Sequence, residues 1–121
     1  MKIIDANILL RYLLRDDEKL FEKAVNIIEN ENVVITDITI AEVVYVLEKV
    51  YKINRKEIAV VLKKIFDFNI VACNDKGLII SALELYHKHN LDFADSVLLA
   101  YKRIKKQEIL TFDKKLKKLA K

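Results

Sequence analysis

The sequence opens with Lys2-Ile3-Ile4-Asp5-Ala6-Asn7-Ile8-Leu9-Leu10-Arg11, and this stretch decides the fold class. The β-branched pair Ile3-Ile4 predicts a short strand that ends at Asp5, and the denser apolar spacing from Ile8 onward predicts a buried helix. A strand that passes directly into a helix has no hairpin partner, so a helical crossover leads to its neighbour. The opening stretch therefore predicts an α/β fold with a parallel sheet.

The same order of strand and helix continues along the chain. Three further strands are predicted, over Val33–Thr36, Ile70–Cys73 and Glu108–Thr111. Amphipathic helices are predicted over Asp16–Asn30, Ile40–Tyr51 and Asn54–Phe68, after Asp75 and after Asp92, with a short basic helix at the end. We therefore expect a three-layer α/β/α architecture whose central parallel sheet has four strands, with a fifth only as a short edge strand.

Length and composition limit the classes of protein to consider. The 121 residues, 53% of them hydrophobic, suit one compact domain spanning residues 1–121 and are too few for two. The net charge of +4 is compatible with an anionic partner, but charged residues of both signs make up 33% of the chain, so basicity decides little. No apolar stretch approaches the ~20 residues needed to cross a bilayer, and the single Cys73 has no internal disulfide partner. We expect a soluble cytoplasmic protein without membrane contact.

Four acidic residues lie far apart in the sequence, and each falls where a strand or loop passes into a helix: Asp5, Glu42, Asp95 and Asp113. In an open parallel sheet the ligand crevice lies beyond the carboxyl ends of the strands, so we expect the four to gather there. Two carboxylates about 5 Å apart repel by roughly 3 kcal/mol at an effective dielectric near 20, so a gathered set requires a cation or protonation. Oxygen ligands without paired histidines or cysteines favour Mg²⁺ or Mn²⁺. The pattern therefore predicts a metal site of the nuclease type.

Each acidic residue also has a purely structural explanation. Carboxylates are favourable at helix N-termini, where Asp5, Asp92 and Asp113 could act as caps. Asp95 would then lie in the first turn of the helix that Asp92 caps. Thr39 and Glu42 have the spacing of a capping box, in which the glutamate reaches back to the threonine amide. The sequence leaves this alternative open for each residue taken alone.

Four stretches, residues 3–11, 36–47, 91–100 and 110–116, together resemble the PIN-domain family, in particular its VapC-type toxins. The resemblance spans the chain from the first strand to the last helix. It implies a Mg²⁺- or Mn²⁺-dependent endoribonuclease in which Asp5, Glu42, Asp95 and Asp113 are both the catalytic residues and the metal ligands. It also implies three auxiliary residues: Asn7 as an orienting side chain, Asp92 as an added acid and Thr111 as a hydroxyl near metal or phosphate. The implied partners are an RNA substrate, a cognate small antitoxin protein and a second copy in a homodimer.

Two groups of side chains are candidates for contact with RNA. Arg11 and Arg15 lie one turn apart on the first predicted helix and could neutralise phosphates. Tyr12, Tyr45 and Tyr101 could stack on bases, but their positions on apolar faces favour packing in the core or in a dimer.

Two alternative functions remain at this stage. One is a phosphoacceptor-type Mg²⁺-binding signalling domain, which needs an acceptor Asp at a central strand end and a Lys at a late strand end. The third strand ends in Cys73-Asn74-Asp75 and the fourth in Thr111 with no lysine directly at its tip, which disfavours this alternative. The other is a PIN-like module that binds RNA or a partner without cutting, and an intact acidic quartet disfavours it.

Overall fold

The fold is built on a small parallel sheet. In the computed structural model, which describes residues 1–121, strands β1 (Lys2–Ile3), β2 (Val33–Ile35) and β3 (Ala72–Cys73) lie in the order β1-β2-β3. Lys2 is opposite Val33 and Val34 is opposite Ala72, and both pairings are parallel. The predicted α/β class with a parallel sheet is confirmed.

Helices form both connections between the strands, and three more follow β3. They are α1 (Ala6–Leu14), α2 (Glu18–Asn30), α3 (Asp37–Tyr45), a π-helical turn (Val46–Val50), α4 (Arg55–Asp67), α5 (Lys76–His89), α6 (Phe93–Lys105) and α7 (Lys114–Leu119). Several begin at the residue that the sequence predicts, because the cap is a local interaction between one side chain and a backbone amide two or three residues later. Asn54, for example, accepts a hydrogen bond from the Glu57 amide at 2.8 Å. None of the helices is both long and apolar enough to span a membrane.

The core lies around the central strand and the helices packed on it. Val33 and Ile35 of β2 are buried, and a continuous cluster of buried apolar side chains extends from Ile4 to Leu116. Helix α3 packs against both α1 and α6, and α5 packs against α4 and α6. Elements that follow different strands are thereby held side by side at the carboxyl end of the sheet.

The predicted fourth strand, Glu108–Thr111, is not part of the sheet, which has three strands. After α6 the chain runs along that helix, where Gln107–Leu110 line a groove together with Leu98 and Tyr101. Leu110 is 95% exposed, and the outer edge of β1 has no pairing strand. The apolar run has the local character of a strand, but its backbone pairs with no other strand.

The helix predicted over Ile40–Tyr51 changes its geometry part-way. It is α-helical to Tyr45 and then forms one wide π turn, which closes with a hydrogen bond from the Tyr51 amide to the Val46 carbonyl at 3.1 Å. Wide turns of this kind occur as single turns and often lie at functional sites. This turn directs Glu48 toward Arg55 of α4 and Tyr86 of α5.

Candidate active site

Asp5 lies immediately beyond β1, at the carboxyl edge of the sheet, and caps α1. Its Oδ1 atom accepts a hydrogen bond from the Ile8 amide at 3.1 Å. The second carboxylate oxygen has no partner within the chain, and Asp5 is exposed. Asn7 is exposed in the first turn of α1. Asp5 thus has a structural role and one oxygen left for a ligand.

Glu42 has no structural role of the kind predicted for it. The cap of α3 is Thr36, whose Oγ1 accepts a hydrogen bond from the Thr39 amide at 3.3 Å, so the predicted capping box at Thr39 does not form. Glu42 lies in the second turn of α3 and is exposed, and its side chain makes no hydrogen bond or ion pair within the chain. Its carboxylate is therefore free to act on a ligand.

Asp92 and Asp95 begin α6, and their roles differ. Asp92 is the cap, and its Oδ1 accepts a hydrogen bond from the Asp95 amide at 2.8 Å. The Asp95 carboxylate is half-buried and has no hydrogen-bond partner within the chain. Desolvation raises the pKa of Asp95, and the negative charges of Asp92 and Asp113 raise it further. The charged form of Asp95 is therefore unfavourable unless a cation lies near it.

Asp113 begins α7, which packs on α6. Its Oδ1 accepts a hydrogen bond from the Leu116 amide at 2.8 Å, and its own amide donates to the Thr111 hydroxyl at 3.0 Å. Thr111 thus shapes the turn before α7. The packing of α7 on α6 brings Asp113 close enough to the start of α6 for its charge to raise the pKa of Asp95.

The structure brings the predicted acidic residues together in part. Asp92, Asp95 and Asp113 interact electrostatically, and the helices that carry Asp5 and Glu42 pack in one row with α6. The side chains as they stand form no cluster of three or more potential metal ligands. The donors are all carboxylate oxygens, which suit a hard divalent cation, and a cation would relieve the repulsion around Asp95. The donor chemistry fits Mg²⁺ or Mn²⁺, although the ligand shell is not closed.

Comparison with known proteins gives the family. The sequence model of the PIN domain matches residues 2–121. The chain belongs to the PIN-domain family. It is also 29% identical over 126 residues to a protein named VapC ribonuclease from Aquifex aeolicus (strain VF5), in an alignment that covers 98% of this chain and 92% of that protein. No solved structure gives a significant match.

This PIN domain contains a polar network beside the acidic residues that the sequence pattern did not reveal. The Arg55 guanidinium donates to Glu48 at 3.3 Å and to the carbonyls of Tyr86 and Leu91, and it stacks over the Tyr86 ring at 4.4 Å. The Tyr86 hydroxyl donates to Glu48 at 2.5 Å. Desolvation alone would raise the pKa of Glu48, but the hydrogen bond from Tyr86 and the positive charges of Arg55 and Lys49 together lower it. Glu48 therefore stays ionised as part of a fixed structural unit.

The structure also shows the contacts of the two arginines predicted to bind RNA. Arg11 donates to Asp16 at 2.7 Å and to the Tyr51 hydroxyl at 3.2 Å, and its side chain is only 16% exposed. The hydrogen bond that Arg11 donates to Tyr51 is the largest cause of its raised pKa. Arg15 pairs with Glu18 and lies over an aromatic ring of α2. Both charges are engaged within the chain, so contact with RNA would compete with these interactions.

Tyr45 lies on the surface of the chain. The sequence favours packing in the core or in a dimer for this residue, and its 61% exposure in this PIN domain excludes the core, while packing in a dimer stays a prediction. Tyr45 lies three residues after Glu42 on the same face of α3. That spacing was the available sign in the sequence that Tyr45 borders the acidic residues.

Proposed function

We propose that this PIN domain is an endoribonuclease that depends on Mg²⁺ or Mn²⁺ and hydrolyses phosphodiester bonds of RNA. The observation that carries the proposal is the Asp95 carboxylate, which is half-buried, has no partner and lies in the field of Asp92 and Asp113. An ionised carboxylate without a partner beside two like charges destabilises the fold, and carboxylates perturbed in this way cluster at functional sites. The similarity to the VapC ribonuclease of Aquifex aeolicus supports RNA as the substrate.

The proposed division of work follows from the contacts of each carboxylate. Asp5 and Asp95 are the first candidates to hold the cation, and Asp113 adds an oxygen that its capping bond leaves without a partner. Glu42 has no structural contact, so it is suited to orient the attacking water and to accept its proton. These carboxylates would hold a divalent cation, which would supply positive charge for the phosphate oxygens and lower the pKa of the attacking water.

The first test is cleavage of a labelled single-stranded RNA by the purified protein with Mn²⁺, with Mg²⁺ or with EDTA. Asp5→Asn and Asp95→Asn should each lower the rate by about 100-fold or more, since loss of a group that only supports a ligand already costs about 10- to 100-fold. Asparagine caps helices as well as aspartate does, so Asp5→Asn keeps the bond to α1 and removes only the charge. Asp67→Asn is the matched control, because Asp67 is exposed at the end of α4 and has no side-chain partner. Undiminished cleavage by the double variant would refute the proposal.

We also propose that the protein is the toxin of a toxin–antitoxin pair, bound by a small antitoxin and present as a homodimer. The resemblance to VapC-type toxins supports this role, and the exposed apolar side chains of Leu110 and Phe112, next to Asp113, offer a surface for a protein partner. Induced expression in a bacterial host should arrest growth for the native sequence and not for Asp95→Asn. Growth arrest by both would show that toxicity does not arise from cleavage. Light scattering of the purified protein tests the dimer.

The phosphoacceptor alternative loses its support, since the chain belongs to the PIN-domain family. The alternative of a PIN domain that binds RNA without cutting predicts binding in the assay above and no cleavage under any metal condition.

A further inference from the structure

A groove lies directly beside the acidic residues, between the end of α3 and the start of α6. It has a volume of about 250 Å³, and Asp92 forms part of its wall. The other lining side chains that matter here are Tyr45, Lys49, Glu48, Arg55 and Ala94. The volume falls below the range of about 300–1,000 Å³ that is typical of sites for drug-sized ligands, so the groove suits one small planar group.

The side chains at the floor of the groove are held by hydrogen bonds, and their charges are paired with one another. Glu48 is held by Arg55 and by the Tyr86 hydroxyl, and Arg55 is fixed by two backbone carbonyls and by stacking on Tyr86. The Tyr86 ring in turn meets Phe93 edge-on, with ring centroids 6.2 Å apart. The π turn carries both Glu48, which points into this network, and Lys49, which stays exposed. A ligand would therefore enter a preformed site.

Two side chains at the rim of the groove, Tyr45 and Lys49, are available to contact a ligand. Tyr45 is 61% exposed and makes no hydrogen bond, so one face or edge of its ring is available for stacking. The Lys49 ammonium lies 3.4 Å from Glu48, a carboxylate that Arg55 and Tyr86 already satisfy. The Lys49 side chain is 55% exposed and that of Glu48 is 20% exposed. Glu48 keeps its bonds to Arg55 and Tyr86 when Lys49 turns away, so little stability is lost if Lys49 contacts a phosphate instead.

We propose that this groove, the Tyr45 groove, binds one base of a single-stranded RNA next to the phosphate at the acidic residues. Tyr45 stacks on the base, and Lys49 contacts the adjoining phosphate. The proposal deepens the proposed function and rests on RNA being the substrate. A second copy of the chain is a poorer occupant, because charged side chains are depleted at the centre of protein interfaces and this groove presents Lys49, Arg55 and Asp92.

The test measures binding of a short single-stranded RNA that carries a fluorescent adenine analogue at successive positions. The protein is the full chain with Asp95→Asn, which prevents cleavage during the measurement. Stacking on Tyr45 should quench the fluorescence at one position of the RNA. Tyr45→Ala should abolish that quenching and weaken binding by about 5- to 150-fold, the range measured for loss of one aromatic stacking partner. Tyr45→Phe keeps the ring and should retain both properties.

Lys49→Ala should reduce the slope of affinity against salt concentration by about one, as expected for one phosphate contact. Phe68→Ala is the matched aromatic control, because Phe68 is 73% exposed at the end of α4 and outside the groove. It should leave affinity and quenching unchanged. Circular dichroism and urea unfolding of each variant confirm that the fold is kept, which the exposure of Tyr45 predicts.

Several outcomes would overturn the proposal. Unchanged affinity and quenching in Tyr45→Ala would do so, as would a Tyr45→Ala variant that changes only the oligomeric state in light scattering, since the groove would then be a contact between copies. The experiments distinguish failure of the groove proposal from failure of the nuclease proposal. Quenching that depends on Tyr45 without cleavage by the native sequence supports the groove and refutes the nuclease. Cleavage that is indifferent to Tyr45 supports the nuclease and refutes the groove, and a protein that neither binds nor cuts RNA refutes both.

Discussion

Replacing Asp95 by asparagine should make the metal-free protein more stable and should remove its response to metal. Burial raises the pKa of Asp95 above its ordinary value of 3.8, and the charges of Asp92 and Asp113 raise it further. A carboxyl whose pKa is raised in the folded state binds more protons there than in the unfolded chain. Stability is therefore lost as the pH rises from about 3.8 through the raised pKa, and the ionised group destabilises the fold at neutral pH. Asparagine has no charge and avoids this loss.

Three contributions set the change in the free energy of unfolding that Asp95→Asn should cause. A like charge one turn away on the same helix, as Asp92 is from Asp95, costs about 0.2–0.5 kcal/mol, and Asp113 on the neighbouring helix acts in the same direction. Desolvation destabilises the ionised carboxylate further. The helix dipole stabilises it by about 0.3–1 kcal/mol, because Asp95 lies in the first turn of α6. The raised pKa shows that the unfavourable terms exceed the dipole. We therefore expect Asp95→Asn to gain up to about 1 kcal/mol without metal.

With bound metal, the native protein should become more stable than Asp95→Asn. A cation present at about 100 times its dissociation constant stabilises the folded state by about 2.7 kcal/mol. For a domain of this length that corresponds to a rise of roughly 8–13 °C in the unfolding temperature. Asp95→Asn removes a proposed ligand, so its unfolding temperature should change little with Mn²⁺.

The assay is thermal unfolding followed by circular dichroism, first with EDTA and then with Mn²⁺, at several pH values. The advantage of Asp95→Asn should vanish as the pH falls below about 3.8, where the native carboxyl is protonated. Asp67→Asn removes one exposed charge far from the site and should behave as the native sequence does. Equal stabilisation of the native protein and Asp95→Asn by Mn²⁺ would refute the assignment of Asp95, and a less stable metal-free variant would refute the electrostatic reasoning.

Further outcomes follow from single contacts. Glu42→Gln should change the free energy of unfolding by less than about 0.5 kcal/mol while RNA cleavage falls at least about 100-fold, and a larger loss of stability in urea unfolding would reveal a structural role. Tyr86→Phe removes the hydroxyl that donates to Glu48 and should cost about 1.5–3 kcal/mol in urea unfolding; a neutral result would mean that this bond is absent in solution. Leu110→Asp should shift stability by less than about 0.5 kcal/mol, because Leu110 is 95% exposed, whereas a larger loss would place this segment in the sheet as the predicted fourth strand. Burial is the main cause that raises the pKa of the Cys73 thiol from 9.0 to about 11. At pH 8 a thiol reagent should therefore label the folded protein roughly 100-fold more slowly than the urea-unfolded chain, and equal rates would contradict the raised pKa.

Much of the helical framework could be predicted because its determinants are local. Asn54 and Asp92 each accept a hydrogen bond from an amide three residues later, and this spacing is visible in the sequence. At α3 the same reasoning was wrong, because Thr36 and Thr39 both precede the apolar run and only one of them can be the cap. The structure selects Thr36, and this choice leaves Glu42 without a capping role.

The amino-acid sequence was sufficient for the α/β class, the parallel sheet, the family and the set of acidic residues to consider. Each of these depends on short-range spacing or on motifs that survive without coordinates. Tertiary structure alone decided that Glu108–Thr111 stays outside the sheet, that Asp95 lies in the field of Asp92 and Asp113, and that Tyr45 borders an open groove. These features depend on which distant segments meet and on how much water reaches them. Exposure, desolvation and the repulsion between remote charges are properties of the packed chain, and local patterns do not encode them.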